Sequence, residues 1–391
     1  MTRTRSATRG PTLTPSRLTL ARKRRGLTLV QLASAIEVSV RSLSAYENGR
    51  QQPNQATLQR LAAALDLPVE FLLAGDIDEI PVDAISFRAL SKLTAGQRDT
   101  ARSAGRVALM LAEWIEERFR LPEPEVPSLP TLDPETAAEV VRARWGLGVA
   151  PLGNLVRLLE AHGVRVFSLA ADCAAVDAFS FVWRQTPYVL LNTAKSGERG
   201  RFDAAHELGH LVLHSEHRVP HGPDAEQEAN RFAAAFLMPR ASVVAHGLAN
   251  AAIDRILAAK QTWRVAAMAL THRLHELDLL TDWGYRTACV DLSRRGYRTG
   301  EPGGIPRETS HLLDSVFHAL RAEATSPADL ARDLYITLAE LNRHVFGLVP
   351  TAVDGGAALT PPSRPRLTLV INPDAAPQTT RYEPRHGPPV R

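Results

Sequence analysis

The sequence predicts a mainly helical chain with one small α+β domain in its middle, and three observations carry that expectation. Residues 16–75 and 247–349 break into short stretches of helical periodicity, punctuated by Gly and Pro. Three strand-like runs crowd together at Val164 to Leu169, Ala178 to Trp183 and Tyr188 to Asn192. Two long helical patterns follow at once, over Arg201 to His214 and Asp224 to Leu237, and Met238-Pro239 stops the second. With 391 residues, 45% of them apolar, the chain has material for two or three cores.

Residues 1–15 are basic and rich in Thr and Ser, and they lack the apolar run of a secretory signal. We expect a flexible basic arm there. Residues 16–75 read as five short helices. Thr28 is a suitable N-cap for a helix that turns Leu29, Leu32, Ala33 and Ile36 inward. Glu37-Val38 forms a tight turn, Ser39 caps a second helix with Leu43 and Tyr46 on its buried face, and Gly49 ends it. Residues 76–134 read as a helical connector over Ile80 to Arg120, then a proline-rich linker over Leu121 to Pro134. Residues 135–246 form the α+β domain: helices near Glu135 to Trp145 and Leu152 to His162, the three strands, then the two long helices. Residues 247–349 are helical again, with a possible helix-turn-helix at Ser326 to Phe346. That segment has Asp329, Asp333 and Glu340 and no basic face, so we expect it to pack or to dimerise. Residues 350–391 are rich in Pro and Gly and are expected to be a disordered tail.

Cys173 and Cys289 are the two cysteines, far apart and without metal-type spacing, so a reducing compartment fits better than a disulfide framework. No stretch approaches the roughly 18 to 20 apolar residues that span a membrane. We expect a cytoplasmic protein with no membrane partner. Net charge is +4, unevenly spread. Residues 1–75 carry 11 Lys/Arg against 4 Asp/Glu, a net of +7, which leaves −3 on the rest. A basic first domain holding two short helices across a tight turn is suited to double-stranded DNA, whose major groove admits an α-helix.

The most informative stretch is His206-Glu207-Leu208-Gly209-His210. On a helix, residues i and i+4 share a face, so both imidazoles can reach one Zn²⁺, one per chain, with Glu207 beside them to hold a water. A catalytic zinc needs a third protein ligand and one open position. The candidates are His214, His217, His221, Glu226 and Glu228. His214 lies a full turn of about 5.4 Å beyond His210, too far for the same ion. A third histidine of the HExxHxxGxxH kind is absent, because Leu213 and Glu216 stand where Gly and His would be. Glu226 is preferred: it opens a new helix, and Asn230 one turn on is placed to orient one of the histidines. Glu228 is the second choice. The oxyanion donor stays open among His214, His217 and His221. The run Tyr188 to Asn192, if at a sheet edge, could pair with an extended substrate.

Two resemblances add to this reading. Leu27 to Leu67, above all Ser39-Val40-Arg41-Ser42-Leu43-Ser44-Ala45-Tyr46-Glu47-Asn48-Gly49 and Pro53, resembles the helix-turn-helix of the phage-repressor (Xre-type) family. The resemblance implies base-reading roles for Val40, Arg41, Ser42 and Ala45, and phosphate contacts for Asn48, Arg50 and the arm arginines. It also implies dimeric binding to an operator. Two positions depart from the family: Leu29 replaces a Gln, and Glu37 replaces the turn Gly. Residues 132–246 resemble the ImmA/IrrE family of metallopeptidases. The likeness rests on Arg201-Phe202-Asp203 before the His206 motif, Glu226-Gln227-Glu228-Ala229-Asn230-Arg231-Phe232-Ala233, and Leu237-Met238-Pro239. It implies a minimal zincin-like fold, zinc ligands at His206, His210 and Glu226, and Glu207 as catalytic carboxylate. The expectation is a DNA-binding transcriptional regulator whose zinc endopeptidase cleaves a helix-turn-helix repressor, in trans or within itself at the proline linker. The alternative is a DNA-binding regulator whose zinc is structural or sensory.

Overall fold

A computed structural model describes residues 12–81, 85–87, 93–169, 171–214, 222–298 and 300–349. Most of the expected basic arm, and the whole expected tail, lie outside the described residues.

Five helices open the chain, as expected: α1 (Pro15–Arg24), α2 (Leu29–Ala35), α3 (Val40–Glu47), α4 (Gln55–Leu65) and α5 (Val69–Leu73). The Thr28 side chain accepts from Gln31 N, and the Gln31 side chain reaches back to Thr28 N, a reciprocal cap that starts α2. Ser39 caps α3 by accepting from Ser42 N at 3.0 Å. Glu37, between them, has φ +55°, a left-handed conformation that Gly adopts without strain.

The stretch read as a helical connector holds two different elements. Residues 85–87 form a short strand, β1 (Ile85–Phe87), followed by the long α6 (Ala95–Glu116). A three-residue strand is too short to leave an alternation signal, and it exists because a partner edge accepts it. The proline stretch after α6 is partly exposed but not free. It is strapped to the α+β domain, with Glu125 N bonded to His162 O (3.0 Å) and Leu129 N to Val212 O (2.7 Å). Gly163 (φ +79°) permits that approach, since a Cβ there would lie 2.2 Å from Glu123 O.

The α+β domain runs α7 (Pro134–Arg144), α8 (Leu155–Ala161), β2 (Arg165–Leu169), β3 (Ala178–Trp183), β4 (Thr186–Asn192), α9 (Gly197–Leu213) and α10 (Pro223–Leu237). Its sheet has four strands, not three, in the order β1-β3-β4-β2. β1 pairs antiparallel with β3, β3 antiparallel with β4, and β2 parallel with β4. β4, expected at an edge, is therefore interior. Beyond α10 come α11 (Arg240–Ala245), α12 (Ile253–Trp263), α13 (Ala267–Glu276), α14 (Asp282–Arg294), α15 (His311–Ala322), α16 (Pro327–Asp333) and α17 (Leu338–His344).

Two apolar cores result. One face of the sheet, with Phe179, Phe181 and Ile85, shares a core with α6, the five N-terminal helices and α15–α17. Residues of α7–α13, together with sheet residues Val166, Ala178, Val189 and Leu191, form the other core. Gly105 lets α6 close on the sheet, for a Cβ there would be 3.2 Å from the Phe179 ring. The C-terminal helices are anchored to α1 by buried charge. Arg24 and Glu340, 2% and 1% exposed, bond at 2.7 Å. Arg25 and Arg343 each meet the other Glu340 oxygen at 2.7 Å, and Arg24 also holds Asp172 at 2.8 Å. Packing thus prevails for the helix-turn-helix-like pair at 326–346.

Candidate functional site

Helix α9 begins where Ser196 accepts from Arg199 N, and it is buried along almost its whole length. His206 and Glu207 are fully buried and His210 is 4% exposed. Their burial on both sides comes from the sheet and from α10, which packs close because residue 209 is Gly. A Cβ at Gly209 would lie 3.1 Å from the Phe232 ring and 3.2 Å from Ala229 Cα. This approach delivers Glu226, in the first turn of α10, to the two histidines.

His206 Nε2 and His210 Nε2 lie 3.0 Å apart. Glu226 Oε1 is 3.3 Å from His210 Nε2, and Glu226 Oε2 is 3.5 Å from His206 Nε2. Among the described residues these three form a group whose donor atoms could hold one metal ion. Four ligands at about 2.1 Å in a tetrahedron are separated by roughly 3.4 Å, so the spacing suits zinc. The outer hydrogen bonds strengthen the fit. Asn230 Oδ1 accepts from His206 Nδ1 at 3.1 Å, which leaves a lone pair on His206 Nε2. Glu228 Oε2 accepts from His214 Nε2 at 2.9 Å; His214 Nδ1 then accepts from His210 Nδ1 at 3.0 Å, leaving a lone pair on His210 Nε2. Two imidazole lone pairs and a carboxylate thus aim at one point, an arrangement that a cation satisfies. Burial pushes the His210 imidazole down to about 4, the neutral form a metal requires.

Glu207 points to the sheet side. Ser180 Oγ on β3 donates to Glu207 Oε2 at 2.7 Å, fixing the carboxylate. The structure therefore brings the donor atoms of His206, His210 and Glu226 to one place, with Asn230 behind His206, while the Glu207 carboxylate is held on the sheet side by Ser180. Glu228, the second-choice ligand, faces His214 instead. His214 has both ring nitrogens engaged by His210 and Glu228, so it is not an oxyanion donor; His217 and His221 lie outside the described residues. Sequence reasoning missed two partners. Ser180 carries no sequence signal. His214 stands at i+4 from His210, and that spacing was the available clue to a ring-to-ring contact.

On the helix-turn-helix, Val40 is 41% exposed, and Arg41, Asn48 and Arg50 are exposed. Ser42 and Ala45 are half-buried, while Leu43 and Tyr46 are buried in the core. Asn48 Nδ2 donates to Ser44 O at 2.7 Å. The basic count of this domain is partly spent internally. Arg22 pairs with Glu47 through both Nε and Nη2, and Arg24 and Arg25 pair with Glu340. Arg17 is 9% exposed and bonds Gly75 O. Among the described residues, the free basic surface is thus smaller than the sequence count, with Arg41, Arg50 and Arg60 exposed.

Comparison with known proteins agrees with both halves. Residues 18–72 match the helix-turn-helix family, and residues 159–275 match the IrrE N-terminal-like domain family of peptidases. The chain is similar to an HTH-type transcriptional regulator, DdrOP3, of Deinococcus deserti. The two are 32% identical over 105 residues, 27% of this chain and 77% of the relative. The chain belongs to the helix-turn-helix regulators, fused to an IrrE-type domain. No helix of the described residues is long and apolar enough to cross a membrane.

Proposed function

We propose that this regulator binds operator DNA as a dimer and carries a zinc endopeptidase centre that cleaves a repressor protein. Val40, Arg41, Ser42 and Ala45 read bases; Asn48 and Arg50 hold phosphates. His206, His210 and Glu226 hold the zinc, and Asn230 orients His206. When bound, zinc supplies Lewis acidity toward a peptide carbonyl and water. Glu207, held by Ser180, takes the proton of the attacking water and passes it to the leaving amine. The observation that carries this reading is the convergence of two buried imidazoles and the half-buried Glu226 carboxylate on one point, on the same helix as a Glu207 carboxylate fixed by Ser180. Cleavage in trans fits better than a cut within residues 121–134, because that stretch is strapped down by backbone hydrogen bonds.

Metal content by mass spectrometry tests the site: about one zinc per chain in the wild type and none in His206→Ala. A wild type purified without chelators that holds no metal would overturn it. The near-complete burial of His206, Glu207 and His210 also favours a second reading, in which the metal structures the domain or senses a signal. Glu207→Gln separates the two. It abolishes regulation if the centre is proteolytic, and leaves regulation intact if the metal is structural.

A further inference from the structure

The position of β1 bears on how a protein substrate could reach the centre, an inference that rests on the peptidase reading above. β3 is the strand tied to the catalytic helix, through Ser180 and Glu207. One side of β3 pairs with β4; the other would be an open edge, and an extended polypeptide laid along it would pass beside Glu207. In this chain that edge is taken. β1 pairs antiparallel along it, with Ile85 opposite Phe181, Ser86 opposite Ser180 and Phe87 opposite Phe179. Neighbouring strands lie about 4.8 Å apart, so the backbone at residue 86 runs one strand spacing from that of the residue bonded to Glu207. Ile85 is fully buried in the core with Phe179 and Phe181, which gives the strand an apolar anchor.

We propose that β1 is an internal occupant of the peptide-binding edge, so that a substrate polypeptide must displace residues 85–87 to lie beside Glu207. The partner that this edge takes is an extended peptide backbone with an apolar residue to fill the Ile85 position. Because β1 lies between α5 and α6, its displacement pulls on the chain that leads out of the helix-turn-helix. Substrate engagement and the DNA-binding domain are thereby linked through one short strand.

The test uses the full chain and a fluorescein-labelled peptide with the sequence of residues 80–92, followed by fluorescence anisotropy. The releasing variant is Ile85→Pro with Ser86→Pro. Successive N–H groups point to opposite sides of a strand, so one ladder bond is lost whichever the phase. The variant is expected to bind the peptide at least about tenfold more tightly than the wild type, the effect of roughly one net ladder bond. Ile85→Ala, which only trims the anchor, is expected to fall between them, and it carries the test if the double proline does not fold. Equal affinity for wild type and variants, or no binding to any of them, overturns the proposal. Zinc measured on the same samples keeps the two readings apart: equal affinity with zinc present refutes the internal strand alone, whereas tighter binding without zinc upholds the strand and refutes the metallopeptidase.

Discussion

Two of the clusters of ionisable groups among the described residues are balanced differently. At the junction of α1 and α17, the Glu340 carboxylate is met by Arg24, Arg25 and Arg343, each at 2.7 Å, and by His344 at 3.3 Å. Charges of both signs come from the chain itself. At the junction of α9 and α10, Glu226 meets His206 and His210, whose outer hydrogen bonds leave only lone pairs facing inward. There the chain supplies acceptors, and in the reading proposed above a metal ion supplies the positive charge. A buried cluster that completes its own charge reads as architecture; one that leaves the positive partner to be filled reads as a site.

The largest effect should break the first cluster. Glu340→Ala leaves Arg24 buried with only Asp172 beside it, and an uncompensated buried charge costs about 3–5 kcal/mol in urea unfolding. An effect below that of an ordinary surface substitution would show that α17 does not anchor the N-terminal helices. The same cluster predicts acid sensitivity. Burial holds the His344 imidazole below the ordinary histidine value of 6.5. Burial raises the Glu340 carboxyl, but the His344 contact and the nearby arginines reverse this and hold it below the ordinary 4.5. Both folded-state values are depressed, so both contributions are present above the ordinary values and lost as pH falls. The melting temperature should begin to drop below about pH 6.5 and fall further below about pH 4.5. A melting temperature that is flat from pH 7 to 4 would contradict this.

A smaller effect should sharpen the second cluster. His214→Ala removes the ring that fixes His210 without touching a proposed ligand, and should weaken zinc binding about 10- to 100-fold in a chelator competition. Glu228→Gln should move in the same direction by less, since an amide oxygen still accepts from His214. Unchanged affinity in both would reduce His214 and Glu228 to packing. The smallest effect lies at the DNA-reading end. Glu37→Gly relieves a left-handed residue at φ +55° and removes a carboxylate from the turn before α3. It should raise unfolding stability by about 1 kcal/mol and strengthen DNA binding in low salt, where charge near phosphates counts most.

Much of this arrangement was legible in residue spacing. The i, i+4 histidines, the Glu226–Asn230 pair one turn apart and the caps at Thr28 and Ser39 are local signals, and local signals survive in sequence. The five N-terminal helices and the strands at 165–192 were readable for the same reason. What could not be read depends on residues far apart. Ile85-Ser86-Phe87 is a strand only because β3 offers an edge. The proline stretch is ordered only because Gly163 lets it approach. The basic character of α1 looked like a DNA footprint because Glu340, more than 300 positions away, is invisible from Arg24. Net charge by segment counts cations, and it does not report where their partners are.

The long helix α6 separates the N-terminal helices from the sheet and packs against both. A shared wall of this kind has a fate when one side is taken away. An N-terminal piece parted from the rest would uncover the side of α1 that α6 now covers. Such a fragment invites chaperones and proteases. Any event that severed the first 75 residues would thus also shorten the life of the DNA reader, so that cutting and silencing would be one act.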